Sequence, residues 1–282
     1  MKYIAITIAV IIIIIITMII ATRLHLRSSS ITTTPIPKVK ELGSLKWVEL
    51  TIVIDNNSGP NLTSVWGISI LVKTSTTTIL FDTGPSPEAL RENVEKLGIN
   101  ISDVDFIVIS HEHGDHVGGL PYIARIKPST IVYVPKDMSY STKDWIKNLG
   151  FEVIEVSESR VISKGIAIIG ELYGPPYEQA LAINIENKGL VIVVGCSHPG
   201  VENIVSKAVR DLGIKPYMVI GGFHLAGASS EKLEQVIKSL INLGISKIVP
   251  IHCSGDRIRN ILKTKYREYY IECFVGSRVR VY

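Results

Sequence analysis

The sequence predicts a mixed α/β fold in which two β-sheets are covered by helices. Residues 47–81 and 159–194 are made of short β-rich runs with no helical pattern between them. Residues 87–156 and 201–275 alternate helical patterns with short β-runs. Blocks of strands separated by βα units favour two packed sheets over one doubly wound sheet.

The individual elements follow from hydrophobic period and turn residues. Ser86 is a plausible N-cap for the first amphipathic helix and Gly98 its stop signal. Strands are predicted at 47–55, 65–74, 77–81, 105–110, 131–135, 151–156, 159–172, 180–186, 190–194, 217–220, 247–251 and 270–275. Helices are predicted at 87–97, 201–212, 230–243 and 256–265. One further helix is predicted to begin near residue 118, and another, after the strand 131–135, to end near residue 149.

The composition bounds the class of protein. A chain of 282 residues that is 46% hydrophobic can bury a core and is not disordered. Its three cysteines are scattered at Cys196, Cys253 and Cys273, which excludes a disulfide scaffold. Residues 1–46 hold six of the 30 basic and one of the 26 acidic residues, so the remainder is near neutral. We therefore expect no nucleic-acid partner.

The amino-terminal segment predicts a membrane anchor. No charged residue occurs from Ile4 to Ala21, and such a helix matches a hydrocarbon core of about 30 Å. The alternative is a cleaved secretory signal, but the exit at Ala21 offers no small-x-small cleavage site. We predict a single-pass anchor at 1–22, a linker at 23–45 and a catalytic domain at 46–282.

The side of the membrane stays open at this point. Lys2 precedes the apolar run, whereas Arg23, Arg27 and two lysines follow it, and this asymmetry favours a cytoplasmic catalytic domain. The Ser/Thr-rich stretch 28–34 would also suit an extracellular stalk.

Reactive side chains follow the predicted strands directly. Six of the seven histidines belong to this set. Loops at strand ends are where α/β folds gather their chemistry, so we expect these side chains to meet. They are Asp82, His111, His113, His116, Cys196, His198, His224 and His252.

The segment 110–120 carries the strongest signal. Three imidazoles and a carboxylate, at His111, His113, His116 and Asp115, fall within six residues after a strand. A solvated histidine-rich turn is the alternative, but these donors suit Zn²⁺ and suffice for two first-row cations. Two such ions provide a nucleophile at neutral pH and a clamp for an anionic centre. The sequence therefore predicts a binuclear metal site.

The motif His111-x-His113-x-Asp115-His116 resembles the signature of the metallo-β-lactamase fold superfamily. The resemblance implies a four-layer αβ/βα sandwich with two divalent cations, most often zinc. By that motif His111 and His113 bind one ion, and Asp115 and His116 the other. His252 matches the final metal ligand of the superfamily. Asp82 matches the aspartate that steadies the histidine loop.

The sequence also departs from that superfamily. It lacks the usual Gly-His-Thr-x-Gly turn, and His198 is the best candidate for the missing imidazole ligand. Cys196 stands where a bridging carboxylate is usual, as a thiolate ligand or as a small buried cysteine. Three roles stay open for His224: substrate contact, general acid and metal ligand. Asp115 and His224 are the predicted catalytic side chains.

Four further motifs resemble one branch of the superfamily, which contains the archaeal enzymes that condense a dihydropterin with an arylamine. They are Trp66-Gly67-Ile68-Ser69 and the segments 195–203, 221–225 and 252–255. Helix starts near these motifs would suit an anionic group. The predicted substrate contacts there are Gly119, Ser197, Asn203 and Ser254.

These observations lead to three hypotheses. The first is a binuclear metal-dependent enzyme with a hydrolase-type site that acts on a phosphorylated or acyl small molecule. The alternative is a transferase that condenses a dihydropterin diphosphate with an arylamine ribofuranosyl phosphate. A non-catalytic binding domain tethered to a membrane is the third. The partners expected are a small anionic substrate and, through the amino-terminal helix, a membrane; the oligomeric state is left open.

Overall fold

The computed structural model describes residues 41–282 and, before them, Ile15, Thr17 and Met18, which are helical. The rest of the predicted anchor (1–22) and the linker up to residue 40 lie outside the described residues. Among the helices of the described chain, none has both the length and the apolar character needed to cross a bilayer.

Thirteen strands form two sheets in the described chain. They are β1 (Val48–Ile54), β2 (Ser69–Thr74), β3 (Thr78–Phe81), β4 (Phe106–Val108), β5 (Ile131–Pro135), β6 (Glu152–Val156), β7 (Arg160–Ser163), β8 (Ile166–Tyr173), β9 (Tyr177–Ile185), β10 (Gly189–Val194), β11 (Pro216–Gly221), β12 (Lys247–Pro250) and β13 (Arg278–Val281). One sheet has the order β13-β1-β2-β3-β4-β5-β6, and the other has the order β12-β11-β10-β9-β8-β7.

Seven helices pack against these sheets. They are α1 (Pro87–Lys96), α2 (Gly114–Val117), α3 (Leu120–Ile126), α4 (Tyr140–Asn148), α5 (Val201–Leu212), α6 (Ser230–Asn242) and α7 (Asp256–Lys265). Two short 3-10 helices, Ile101–Asp103 and His252–Ser254, complete the described elements. As expected from the sequence, the Ser86 hydroxyl caps α1 by accepting from the Ala89 amide.

Three apolar cores show how the layers stack. Between the sheets, β1 contributes Leu50 and β9 contributes Leu181. Helices α1, α3 and α4 cover the other face of the seven-stranded sheet, where Leu90 joins a second core. Helices α5, α6 and α7 cover the six-stranded sheet through a third core that includes Val205 and Ile237. The order is therefore helix, sheet, sheet, helix, which confirms the predicted sandwich.

The parallel parts of the two sheets position the loops that matter. Strands β3, β4, β5 and β6 run parallel to one another, as do β10, β11 and β12. Both faces of these strands are covered, so they read as continuous apolar runs such as Leu190–Val194. Parallel neighbours end at the same edge of a sheet, so the loops after them lie side by side.

The strand prediction was wrong near the carboxyl terminus and within residues 159–172. The segment 270–275 is not a strand: only Tyr270 makes a bridge, to Ile248. The last strand is β13, whose alternating Arg-Val-Arg-Val sequence pairs antiparallel with the edge of β1. The predicted strand 159–172 is divided into β7 and β8 by a turn at Gly165, whose φ is 73°.

The carboxyl end of the predicted linker also belongs to the folded domain. Leu42 and Leu45 are buried in two of the apolar cores. The Leu45 amide donates to the Asn184 carbonyl at 2.9 Å, and Leu45 bridges to Ile185. The domain therefore begins before the predicted boundary at residue 46.

Candidate metal centre

Strand ends from both sheets converge on one cluster of side chains. Asp82 follows β3 and the loop 110–116 follows β4 in the seven-stranded sheet, whereas His198 and His224 follow β10 and β11 in the other. The rings lie close together: His111 is 4.7 Å from His198 between centroids, and His198 is 4.6 Å from His224. The predicted meeting of these side chains is observed.

Asp82 organises the histidine loop from beneath. This carboxylate is fully buried, and its Oδ1 accepts a hydrogen bond from the Ser110 amide at 2.7 Å. Its Oδ2 lies 2.7 Å from both the Ser110 hydroxyl and His116 Nδ1. The Ser110 hydroxyl also contacts His111 Nδ1 at 2.9 Å. Because these contacts hold their Nδ1 atoms, the His111 and His116 rings point Nε2 toward the centre of the cluster. Hydrogen bonds to the second ring nitrogen orient metal-binding histidines in the same way.

The donors form two adjacent triads. One is His111, His113 and His198; the other is Asp115, His116 and His252. Within each triad the ligand atoms lie within 4.8 Å of one another. All six residues predicted as metal ligands therefore fall into two groups.

Glu178 holds His198 in place, and sequence reasoning missed it. This carboxylate on β9 is fully buried and accepts from the Ser197 amide at 2.7 Å and the His198 amide at 2.8 Å. Its Oε2 also contacts His198 Nδ1 at 2.9 Å. The signal that could have found it is an acidic residue inside an otherwise apolar strand, since unpaired carboxylates are rarely buried.

Asp55 and Asn56 hold His252 in place, and sequence reasoning missed both of them. The buried Asp55 Oδ1 accepts from the His252 amide at 2.6 Å, and Asn56 Oδ1 lies 3.3 Å from His252 Nδ1. Trp66 packs against the same ring at 4.9 Å. Their signal was present, because Asp55 and Asn56 directly follow β1 just as Asp82 follows β3.

The spacing of the donors fits divalent cations. Two nitrogen ligands about 2.1 Å from one tetrahedral cation lie about 3.4 Å apart. In the structure His111 Nε2 and His113 Nδ1 are 3.1 Å apart, and Asp115 Oδ2 and His252 Nε2 are 3.3 Å apart. His252 Nε2 is buried, and its contact with Asp115 Oδ2 lacks hydrogen-bond geometry, so this atom has no hydrogen-bond partner among the described residues. A buried polar atom without a partner is costly, and a cation at this position would satisfy it.

The electrostatics of three donors, His111, His113 and Asp115, favour metal-binding protonation states, whereas those of His116 favour the protonated ring. Burial and the neighbouring imidazoles lower the pKa of His111, and burial and His198 lower the pKa of His113, so both rings tend to be neutral. Burial alone would raise the pKa of Asp115, but the adjacent His252 and His116 rings lower it to about 2. Burial likewise lowers the pKa of His116, but contact with Asp82 outweighs burial and raises it.

Cys196 and His224 border the two triads. Cys196 Sγ lies 3.2 Å from His116 Nε2, and the nearby Cys253 thiol and burial raise the pKa of Cys196. His224 is exposed, and its amide donates to Cys253 Sγ at 3.3 Å. His224 therefore lies where solvent or a substrate can reach it, whereas Cys196 is enclosed.

The predicted substrate contacts are engaged within the fold. The Gly119 amide donates to the Gly84 carbonyl, and a Cβ at Gly119 would lie 2.1 Å from the Thr83 carbonyl oxygen. The Ser197 hydroxyl donates to the Gly222 carbonyl, and Ser254 Oγ accepts from the Phe223 amide. Exposed Asn203 donates to the Pro199 carbonyl. In this arrangement they shape the loops around the cluster, and a role toward substrate stays a prediction.

Backbone strain is concentrated at the cluster. Asp82, Ser197, His224 and His252 all have left-handed φ values, between 50° and 60°. Non-glycine residues seldom adopt this conformation, and it is retained where surrounding structure enforces it. The hydrogen bonds of Asp82, Glu178 and Asp55 supply that enforcement.

Comparison with known proteins agrees with this geometry. The family model described as the metallo-beta-lactamase superfamily matches residues 67–202. A relative from Methanocaldococcus jannaschii, named 7,8-dihydropterin-6-methyl-4-(beta-D-ribofuranosyl)-aminobenzene-5'-phosphate synthase, is 28% identical over 289 residues, 85% of this chain and 98% of the relative. The solved structure of Tm1679, a metal-dependent hydrolase of the beta-lactamase superfamily, is 27% identical with a TM-score of 0.70 and covers 83% of this chain and 99% of that one.

A further relative matches part of the chain. A ribonuclease Z from Aeropyrum pernix is 31% identical over 131 residues, which is 42% of this chain and 41% of the relative. The chain carries a metallo-beta-lactamase domain. It is homologous to the archaeal synthase from Methanocaldococcus jannaschii, which confirms the branch expected from the four motifs.

Proposed function

We propose that the chain is a metal-dependent enzyme acting on a small anionic substrate, with one divalent cation held by each donor triad. The observation that carries the proposal is the pair of adjacent triads, His111/His113/His198 and Asp115/His116/His252. Imidazole and carboxylate donors of this kind suit zinc. The near-neutral charge of residues 47–282 supports a small molecule over a nucleic acid.

Each residue has a distinct task in this proposal. Bound divalent cations supply positive charge that stabilises negative charge developing on a phosphate or acyl oxygen. Asp82, Glu178 and Asn56 hold the imidazoles in the required orientation. Asp115 is ionised throughout the physiological range because its pKa is about 2. Exposed His224 gives a proton to the leaving group or orients the substrate.

Two reactions are compatible with this site. Homology to the Methanocaldococcus jannaschii synthase supports condensation of a dihydropterin diphosphate with an arylamine ribofuranosyl phosphate. Similarity to Tm1679, described as a metal-dependent hydrolase, supports hydrolysis of a phosphorylated or acyl compound. We place condensation first because the homology covers 98% of the synthase.

The experiment is a metal-quantified assay of the purified full chain. It is given the dihydropterin diphosphate and arylamine pair and, separately, phosphodiesters, lactones and thioesters, and products are identified by mass spectrometry. A condensed product that requires both substrates supports the transferase, whereas product from a single substrate and water supports the hydrolase. Fewer than one bound ion per chain, with no turnover, would support a non-catalytic binding domain instead.

Two variants test the assignment of the triads. His111→Ala and Asp115→Ala each remove one donor from a different triad, so each should lower metal content and abolish nearly all turnover. Circular dichroism should remain close to that of the wild type. Normal activity in either variant contradicts the assignment. The matched control is Glu186→Gln, an exposed acidic residue just after β9.

Residues 1–22 are proposed to attach the enzyme to a membrane, because the run Ile4–Ala21 is uncharged and long enough to span one. The test fractionates cells that express the full chain. We expect the protein in the membrane pellet after a high-salt wash and its release by detergent, with the amino terminus intact by mass spectrometry. Recovery of the uncleaved chain in the supernatant contradicts this proposal, and a chain shortened near residue 22 identifies a cleaved signal.

A further inference from the structure

Cys196 occupies the centre of the donor cluster. Its Sγ lies within 4.8 Å of ligand atoms from His111 and His198 in one triad, and from His116 and His252 in the other. The closest of these is His116 Nε2, at 3.2 Å. Sulfur and nitrogen ligands about 2.3 Å and 2.1 Å from one tetrahedral cation lie about 3.6 Å apart. The observed 3.2 Å is shorter than this and suits a hydrogen bond, and the two atoms are near enough to bind one ion once the thiol proton leaves.

Most carboxylates near Cys196 are already engaged in hydrogen bonds to other groups. Asp115 is the exception. Both oxygens of Glu178 accept from the loop 197–198, and both oxygens of Asp82 accept from Ser110 or contact His116. Asp55 accepts from the His252 amide and from Asn57. Asp115 lies with His116 and His252 alone. No carboxylate of the described chain is thus grouped with donors of both triads.

A second observation points to a ligand at this position. The buried His252 Nε2 lies 3.3 Å from Asp115 Oδ2 without hydrogen-bond geometry and has no hydrogen-bond partner among the described residues, and it forms a donor group with Cys196 and Cys253. Close packing leaves little freedom for the cysteine, because a Cβ on the preceding Gly195 would lie 2.1 Å from the Ser110 hydroxyl oxygen. Cys196 Sγ therefore lies among nitrogen donors, one of which, His252 Nε2, makes no hydrogen bond within the described chain.

We propose that Cys196 is a metal ligand shared by the two cations, its thiolate standing between the triads. This inference rests on the binuclear site proposed above and specifies its bridging group. The bond formed is from sulfur to the cation, and the thiol proton leaves to solvent or buffer, as happens when a cation binds a cysteine. Oxidation states do not change.

Cobalt substitution tests the proposal without reference to turnover. The full chain is stripped of metal and titrated with Co²⁺ under reducing conditions, while bound cobalt is counted and the near-ultraviolet sulfur-to-cobalt charge-transfer absorption is recorded. A shared thiolate predicts that this absorption appears with the first equivalent and grows with the second. Tetrahedral visible bands report the cation geometry in the same titration.

Cysteine variants identify which sulfur atom binds the cations. Cys196→Ser should lose the charge-transfer absorption at both equivalents, and Cys196→Ala should weaken metal binding by on the order of tenfold or more. Cys253→Ala and Cys273→Ala, which remove the other two buried thiols, should keep the absorption. Cys196→Asp, which offers a carboxylate at the same place, should restore two bound ions without the absorption.

The outcomes separate this proposal from the proposed function. Two bound cobalt ions without charge-transfer absorption overturn the thiolate bridge and leave the binuclear enzyme standing. Absorption that survives in Cys196→Ser and disappears in Cys253→Ala overturns it in favour of the other thiol. Failure of the wild-type chain to bind either cobalt or zinc overturns the binuclear site as well.

Discussion

Glu178 is a single buried carboxylate on which one of the two triads depends. Its donors are the Ser197 amide and the amide and ring of His198, and none of them belongs to its own strand. Glutamine has the same shape but presents an NH₂ group to one of these donors. We expect Glu178→Gln to lower metal affinity by about 10–100-fold, which is typical when a partner of a metal-binding histidine is lost.

Equilibrium dialysis against zinc measures that affinity, and Glu186→Gln after the same strand is the control. Because Glu178 acts through His198, the loss should be partly rescued by raising the zinc concentration, whereas a lost catalytic group would not be rescued. Unchanged zinc affinity in Glu178→Gln would show that the Glu178 carboxylate does not position a zinc ligand.

His224 contributes at the residue scale in a different way. It is exposed at the open side of the cluster, next to His198. We expect His224→Ala to lower kcat by about 10²–10⁴-fold, the contribution typical of a positioned general acid, while metal content stays constant. Steady-state kinetics and metal analysis on the same preparation check both points. If an ion is lost instead, His224 is a ligand.

The individual residues also show how much of the site the sequence could predict. The six triad donors and Asp82 were accessible because each follows a strand and has a residue type suited to metal binding. Glu178 was not, because it lies inside β9 and its role depends on the approach of a loop 20 residues later. Asp55 carried the right signal after β1, but its partner His252 lies 197 residues away, so only the folded chain joins them.

At the scale of elements, the spacing of hydrophobic residues predicted the interior strands correctly. It did not predict the last strand, β13, which lies at a sheet edge. Strands such as β10 are buried on both faces, so their apolar runs are unambiguous. The segment 270–275 has a similar apolar character, but the available edge of β1 pairs with 278–281 instead. Competition between two segments for one edge is a tertiary effect, which local pattern does not resolve.

A partly buried carboxylate attaches helix α5 to the edge of the six-stranded sheet. Asp211 near its end accepts from the Ser159 hydroxyl at 2.6 Å and pairs with Lys207 at 2.8 Å. The same hydroxyl accepts from the Gly170 amide on β8. Burial alone would raise the pKa of Asp211, but the hydrogen bonds from Lys207 and Ser159 lower it below its usual value of 3.8.

We therefore expect Asp211→Asn to lower the free energy of unfolding by about 1–2 kcal/mol at pH 7. A carboxyl group whose folded-state pKa is depressed stabilises the fold above its unfolded pKa, and this contribution is lost as pH falls through the folded value. The difference between variant and wild type should accordingly shrink below about pH 4. Urea unfolding across this pH range measures it.

An exposed pair of the same spacing provides the control. Arg91 and Glu95 on α1 are also four residues apart, but the Glu95 side chain is 58% exposed against 8% for Asp211. Exposed pairs contribute about 0–1 kcal/mol, so Glu95→Gln should change little at any pH. Equal effects of the two substitutions would mean that burial and Ser159 add nothing to the Asp211 contacts.

At the scale of the whole molecule, the proposed metal centre takes its donors from both sheets. His111, His113, Asp115 and His116 come from a loop of the seven-stranded sheet, whereas His198 and His252 come from loops of the six-stranded sheet. Each triad takes donors from both halves of the sandwich. Cations held there would connect halves that otherwise meet mainly through the central apolar core, so the metal should stabilise the entire fold.

Zinc should then raise the Tm of the metal-free chain, because a ligand that binds the folded state adds about 2.7 kcal/mol at 100 times its dissociation constant. His113→Ala isolates this effect: His113 is exposed, so its removal should leave the metal-free Tm nearly unchanged while reducing the zinc-induced rise. Scanning calorimetry of both chains with chelator and with increasing zinc provides the measurement. A full zinc-induced rise in His113→Ala would mean that the stabilising cation is bound without this triad.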